Sequence, residues 1–459
     1  MADIYFYNTL SKSKEKFTSI HEGEARMYNC GPTVYNYAHI GNLRSYVFAD
    51  ILRRTLEWNG YKVRQVINVT DIGHLSSDGD DGDDKMTKAL KREGKPFTKE
   101  AMRGVADFYF EKFKEDLFAL NIELPEYFPF ASDHIHEDIE LIHKLEEKGA
   151  TYKTSDGLYF DTSMFPSYGV LGGAVSSDDE HSRIGVNSEK KNPRDFALWK
   201  FNDELGYEAS WGKGFPGWHI ECSAMSEKYL GQPFDIHTGG IDHIPVHHNN
   251  EIAQSEMANG KKYVNYWLHN AHLNLGDEKM AKSGDNFITL KTLVEKYDAP
   301  LVYRYLLLTV HYRSPMNFSH EAINAAGIAR KNIIRSLRGM PVGGKVDENF
   351  KERFTQYIND DLGTPQALAL VYEILKSDIS DASKKATILE FDKVLGLKLD
   401  EVITEEVIEI PIAVQNLLKE REIARAQKDF DRSDQLRSDI AELGYLLEDS
   451  KDGAKVTKK

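Results

Sequence analysis

The chain has 459 residues, room for about two to four domains. Its 41% hydrophobic and 11% aromatic content excludes a disordered polypeptide, and a net charge of -15 excludes general affinity for polyanions. No apolar run is long enough to span a bilayer, and the start Met1-Ala2-Asp3-Ile4 lacks the basic-then-apolar order of a secretory signal, so a cytoplasmic location with reduced thiols is expected.

Residues 25–120 read as a βαβα unit. Strands are expected near 26–31 and 61–69. The helix between them, over 42–59, carries Leu43, Val47, Ile51 and Leu52 at helical spacing. Such alternation predicts a parallel sheet with crossover helices. The stretch Tyr28-Asn29-Cys30-Gly31-Pro32-Thr33-Val34-Tyr35 puts a thiol at the end of a strand, ahead of a Pro/Gly loop. His39-Ile40-Gly41-Asn42 then opens the helix, where free backbone amides and the positive dipole end make a seat for phosphate. Residues 76–84 form an acidic, glycine-rich loop; Gly82 falls where a third calcium ligand belongs, so a solvated loop is expected.

Residues 125–200 change character, with clustered aromatics, glycines and serines and short strands expected around Thr151–Lys153 and Leu158–Asp161. This reads as an insertion into the α/β domain. Patterning returns to α/β over 230–275 and is mostly helical over 288–395, with a loop at 339–347. Beyond Pro411 two short helices follow, the first marked by Val414, Leu417 and Leu418, the second by Leu436, Ile440 and Leu443. Residues 455–459 read as a short basic tail.

Two nucleotide-like motifs have the wrong context. Gly212-Lys213-Gly214-Phe215-Pro216-Gly217 matches G-x-G-x-x-G, with Asp235 at the distance of a ribose-binding acid, but the preceding segment is polar and Pro216 sits inside the turn. Gly339-Met340-Pro341-Val342-Gly343-Gly344-Lys345 lacks the following hydroxyl, since Val346 stands there, and reads as an interhelical loop.

Cys30 and Cys222 are the chain's two cysteines. Each can be a buried small hydrophobe. Cys222 lies in Trp218-His219-Ile220-Glu221-Cys222-Ser223, and His247 and Glu251 share a face if a helix begins near Val246. Two thiolates, an imidazole and a carboxylate suit Zn²⁺, although the spacing is not that of a finger. Lys279-Met280-Ala281-Lys282-Ser283 follows Gly276-Asp277; it can close over a polyphosphate or be a plain surface loop.

Taken together these motifs resemble a family. His39-Ile40-Gly41-Asn42 is similar to the H-I-G-H signature of class I aminoacyl-tRNA synthetases, and Lys279 to Ser283 to their K-M-S-K-S loop. Cys30, Cys222, His247 and Glu251, with Thr70-Asp71, Asp235-Ile236-His237-Thr238-Gly239-Gly240, Val264-Asn265-Tyr266-Trp267 and Ala424-Arg425-Ala426-Gln427-Lys428-Asp429-Phe430, resemble the cysteinyl-tRNA synthetases in particular. Asn42 replaces the second signature histidine, Ala281 the loop serine and Gly284-Asp285 the common Leu-Gly, while Asn249 stands where an acid is frequent.

The resemblance implies an α/β fold: a class I synthetase-type Rossmann-like parallel sheet with an inserted connective domain, then an α-helical bundle and a small anticodon-binding domain. The implied boundaries are 1–124 and 206–270 for the two catalytic halves, 125–205 for the connective insertion, 271–318 for the stem-contact region with the lysine loop, 319–400 for the bundle and 401–459 for the anticodon domain. It implies ATP-dependent activation of L-cysteine and transfer to the 3′ end of the cysteine tRNA, by a monomer without membrane association. His39, Gly41, Asn42, Lys279 and Lys282 would bind ATP, which arrives with Mg²⁺; of these, His39, Asn42, Lys279 and Lys282 would be catalytic. One Zn²⁺ on Cys30, Cys222, His247 and Glu251 would select the thiol. Cys30, Gly31, Thr70, Trp218, His237 and Asp242 would form the cysteine pocket.

Residues 416–459 carry ten basic and ten acidic side chains, so RNA binding there requires segregated charge. The rival readings are a cysteine ligase acting on an amino-sugar acceptor without RNA, which would lack the anticodon-type region, and a non-catalytic RNA-binding zinc protein.

Overall fold

The computed structural model describes residues 3–72, 85–172, 188–275, 278–279, 287–297, 300–400, 411–427, 429–450 and 453–458. The acidic loop 76–84 lies outside them but for nothing at its edges, as do Met280 to Ser283 of the lysine loop. The chain divides into two compact units, Met1–Leu399 and Asp400–Lys459.

The first unit opens with an antiparallel hairpin, β1 (Tyr5–Asn8) and β2 (Ser13–Lys16), which the sequence reading did not anticipate. Strand β3 (Glu24–Asn29) leads to helix α1 (Ile40–Trp58), strand β4 (Lys62–Ile67), and helices α2 (Lys85–Glu93) and α3 (Lys99–Ala119). Leu43, Val47, Ile51 and Leu52 are all buried, as the helical spacing of α1 requires. Cys30 falls just past β3 rather than inside it.

Next come helix α4 (Ile135–Glu147) and a separate antiparallel sheet of β5 (Thr151–Lys153), β6 (Gly157–Phe160), β7 (Phe196–Phe201) and β8 (Gly214–Pro216). Its core joins Leu141 and Leu145 to Phe160, Phe196 and Trp199. The Gly212–Gly217 motif is thus a sheet edge. Asp235, its would-be ribose acid, is fully buried and accepts the backbone N–H groups of Ile20 and Arg26 at 2.6 and 2.8 Å.

Helix α5 (Trp218–Leu230), strand β9 (Phe234–Gly240), helix α6 (Asn249–Asn259) and strand β10 (Val264–Asn270) complete the central sheet. Its order is β10-β9-β3-β4 and all pairings are parallel, as expected. Tyr28 pairs with His237 and Asn29 with Thr238, so the carboxyl ends of β3 and β9 open side by side. Sheets of this kind bind ligands at that edge.

A small sheet of β11 (Leu273–Leu275) and β12 (Glu278–Lys279) precedes helices α7 (Leu290–Tyr297) and α8 (Pro300–Leu308); β13 (Met316–Phe318) joins it parallel to β11. Helices α9 (His320–Arg338), α10 (Glu348–Asn359), α11 (Thr364–Lys376) and α12 (Asp381–Leu395) follow. Residues 339–347 link α9 to α10, the interhelical loop that the sequence indicated.

The second unit holds helices Ile412–Ala426 and Phe430–Glu442 and an antiparallel hairpin of Tyr445–Ser450 with Gly453–Lys458. The expected basic tail is therefore corrected: most of it is a strand. Tyr445 and Leu447 alternate inward onto Val414 and Ile440 while Leu446 faces out, and that strand needs a pairing partner. No helix among the described residues is long and apolar enough to cross a membrane.

One buried charge joins α1 to the helices behind it. Asp50 accepts Arg54 Nε at 2.8 Å and Arg304 Nη2 at 2.5 Å, and neither Asp50 nor the α8 residue Arg304 reaches water. Arg304 also donates to the carbonyls of Leu120, Asn121 and Leu395. Asp50→Asn takes the contacting anion from buried Arg304 and one of two from Arg54, which keeps Glu123 Oε1 at 3.2 Å. Urea unfolding is expected to show a loss of roughly 3–5 kcal/mol in the first unit, with the second unit's transition unmoved.

Candidate active site

A cavity of about 540 Å³ opens at the carboxyl edge of the central sheet. Of the residues anticipated from sequence, Cys30, Gly31, His39, Gly41, Asn42, Trp218 and Asp242 line it. Cys222, His247, Glu251, Thr70 and His237 are buried beside it, each nearly inaccessible. Lys279 ends β12, whose backbone pairs Lys279 with Asn274; Lys282 lies outside the described residues.

One side of the cavity is the start of α1. His39 is its N-cap: Nδ1 accepts the Asn42 N–H at 3.0 Å, and the His39 N–H points at Asn42 Oδ1 at 3.4 Å. This reciprocal cap satisfies two helix-end donors. With Nδ1 accepting, the neutral His39 ring carries its proton on Nε2. Asparagine in place of the second signature histidine therefore has a local reason, since its carboxamide oxygen closes the cap and its amide group remains a donor.

The thiol side depends on two close approaches of backbone. A Cβ on Gly31 would sit 1.5 Å from the Asn68 carbonyl oxygen, so no other residue fits between Cys30 and the loop. A Cβ on Gly239 would meet His243 Nδ1 and His248 Cε1 at 2.6 Å. Between β9 and α6 the chain makes a π-helical turn over Ile244–His248, a wider turn than an α-helix allows. His247 and His248 consequently face different sulfurs. Cys30 Sγ lies 3.2 Å from His248 Nε2, and the Cys222 thiol is hydrogen-bonded to Cys30 and to His247.

Glu251, one turn on, is the point on which these groups converge. Oε2 accepts from His237 Nε2 and from the Tyr263 hydroxyl, both at 2.9 Å. Oε1 lies 3.0 Å from His247 Nε2, an ion-pair contact. Cys222, His247 and Glu251 bring ligand atoms within 4.8 Å of one another, and so do Cys30, His237, His248 and Glu251. The four residues read from sequence thus fall into two groups that share Glu251 and touch through the two thiols.

The hydrogen bond that Cys222 donates to Cys30, together with burial, holds the Cys222 thiol well up, and burial raises Cys30 as well. Burial would also raise Glu251, but His237 and His247 outweigh it and hold the carboxyl well below its usual range. Burial would lower His247, yet Glu251 and the Cys222 thiol push it up to about 10. Burial keeps His219, His248 and His269 neutral.

Sequence reasoning missed the partners of these groups. His219 Nδ1 meets His247 Nδ1 at 2.8 Å and so orients its ring, over which Trp218 stacks at 4.2 Å. His248 Nδ1 meets His269 Nε2 at 2.7 Å, and His269 Nδ1 meets the Thr9 hydroxyl at 2.7 Å. The available signal was density: seven of the chain's sixteen histidines fall within 219–272.

The sequence matches the family described as tRNA synthetases class I (C) catalytic domain over residues 16–327, and the cysteinyl-tRNA ligase anticodon binding domain over 409–456. It is 46% identical to "Cysteine--tRNA ligase 1" of Burkholderia lata, covering 99% of this chain and 96% of that one. To "Cysteine--tRNA ligase" of Treponema denticola it is 43% identical, covering 97% and 98%. The chain belongs to the cysteine–tRNA ligase family.

Membership in the cysteine–tRNA ligases agrees with the fold. The structure is similar to a Mycobacterium tuberculosis methionyl-tRNA synthetase in complex with methionyl-adenylate, with a TM-score of 0.58 at 16% identity, covering 83% of this chain and 92% of that one. At that identity the likeness speaks for the class I fold alone.

Gly31→Ala tests the close approach under Cys30. Relieving the overlap with Asn68 must move the end of β3. We expect a stability loss of at least about 1–3 kcal/mol in urea and a Cys30 more reactive toward an alkylating reagent.

Proposed function

We propose that the chain works as a cysteine–tRNA ligase in which a zinc site selects the thiol. The observation that carries this reading is the meeting of Cys30 and Cys222 with His247 and Glu251 beside a cavity whose other wall is the capped start of α1. The donor set, two thiols, an imidazole and a buried carboxylate, suits zinc. Cys30, Cys222, His247 and Glu251 would hold the ion, with His219 orienting His247. Zinc, when bound, takes the substrate sulfur as thiolate and so separates it from a serine hydroxyl, which a pocket of the same shape separates poorly.

The remaining chemistry is positioning and charge stabilisation. The cysteine carboxylate oxygen attacks the α-phosphorus of ATP, and the bond to the pyrophosphate oxygen breaks. A ribose hydroxyl of the tRNA end then attacks the acyl carbon, and AMP leaves. We assign His39 and Asn42 to the phosphates at the start of α1, and Lys279 and Lys282 to the β- and γ-phosphates of magnesium-bound ATP. Gly31, Trp218 and Asp242 would line the cysteine pocket, with Thr70 and His237 shaping it from behind. Residues 125–205 would act as the connective insertion, 271–318 as the stem-contact region, 319–400 as the bundle and 401–459 as the anticodon-binding domain. The match over 409–456 favours an RNA acceptor over an amino sugar.

Pyrophosphate exchange tests the reading. Purified protein is expected to hold one zinc per chain and to exchange with cysteine but not with serine. Chelation should cut the cysteine-dependent rate by at least about 100-fold, the scale of a lost Lewis acid, with recovery on zinc addition. A metal-free protein that still rejects serine would overturn the zinc assignment. Lys282→Ala should lower the rate by about 10²–10³-fold, as loss of one transition-state donor does, with zinc content unchanged.

A further inference from the structure

Arg44 is a buried cation without an anion. It lies on the second turn of α1, 4% exposed, and no carboxylate among the described residues is close enough to stabilise its charge; burial pulls its pKa down. The guanidinium is satisfied by backbone carbonyls instead. Nη1 donates to His272 at 2.5 Å, and Nη2 to Ser314 at 2.6 Å and Tyr312 at 3.3 Å. A buried charge is costly, and only the three carbonyls that accept from it offset that cost.

The carbonyls it selects stand at the entrances of β11 and β13. His272 O also accepts Met316 N–H at 3.1 Å, and Tyr312 O accepts Ala271 N–H at 2.9 Å. Arg44 therefore grips the junction where these strands begin to pair. β11 pairs in turn with β12, setting Lys279 opposite Asn274. On the far side of the lysine segment, Ile40 N–H donates to Ile288 O at 2.9 Å, and His39 bridges Thr289. Both flanks of residues 280–286 are thus bonded to the first two turns of α1, one flank through a side chain and the other through backbone.

We propose that Arg44 is a positioning residue for the ATP-dependent step: it fixes the supports of the Lys279-to-Ser283 segment against the helix start that carries His39 and Asn42. This rests on the adenylation reading above. Arg44 lies outside the cavity lining and acts through the strands it holds. A guanidinium spans three carbonyls from one planar fork; a lysine ammonium has three donors on one atom and cannot span them.

The test compares wild-type protein with R44K in cysteine-dependent pyrophosphate exchange, with zinc content, thermal midpoint and acylation of Lys279 and Lys282 measured with and without ATP. R44K is expected to keep zinc and the KM for cysteine while kcat falls about 10- to 100-fold, the scale of an ångström-sized misplacement. ATP should shield the two lysines in wild type and shield them less in R44K. Wild-type kcat and shielding in R44K would overturn the proposal, as would zinc content and cysteine KM failing in step with kcat. If R44K does not fold, R44Q, which buries no charge, is read the same way; loss of the fold in both counts against the proposal. A wild-type protein inactive with cysteine would instead sink the adenylation reading and leave the architecture of Arg44 to be explained separately.

Discussion

A carboxylate shut away from water has to be surrounded by donors or cations, and Glu251 is such a group. Its surroundings dictate much of the local structure. His237 comes from the middle of β9, Tyr263 from the edge of β10, and His247 from the turn before α6, so two strands and a helix are pinned to one side chain. The glycines at the end of β9 and the widened turn at Ile244–His248 follow from the same demand, because the imidazoles need room to reach inward.

The two walls of the cavity are built on different principles. The thiol wall is layered: His219 stands behind His247, and His269 behind His248. The other wall is a helix end whose cap is made by its own signature residues, His39 and Asn42.

Much of this was legible in the sequence. The spacing of Leu43, Val47, Ile51 and Leu52 marked α1, and the alternation of strand and helix patterns marked a parallel sheet. The lone thiols were tied to His247 and Glu251 by a donor set that suits zinc and by the resemblance to the cysteinyl-tRNA synthetases. What was not legible was contact at long range. Nothing local to Trp218-His219 says that His219 backs His247, or that Thr9 ends a chain of rings leading to Cys30. The pairing of β7 with β8 and the terminal hairpin were missed because short strands take their stability from partners rather than from their own pattern. Arg44 was invisible for a similar reason: it binds carbonyls, which every residue carries.

Parallel pairing also sets the order of events during synthesis. Cys30 and the histidine nearest its sulfur are 218 positions apart, with the whole insertion between them. At ribosomal speeds of about 5–20 residues per second, Cys30 leaves the ribosome roughly 10–40 s before its companions exist. The nascent chain therefore carries an orphan sulfur and half a sheet through nearly half of translation, and the cell's reducing power must guard that sulfur until β9 and α6 emerge to enclose it.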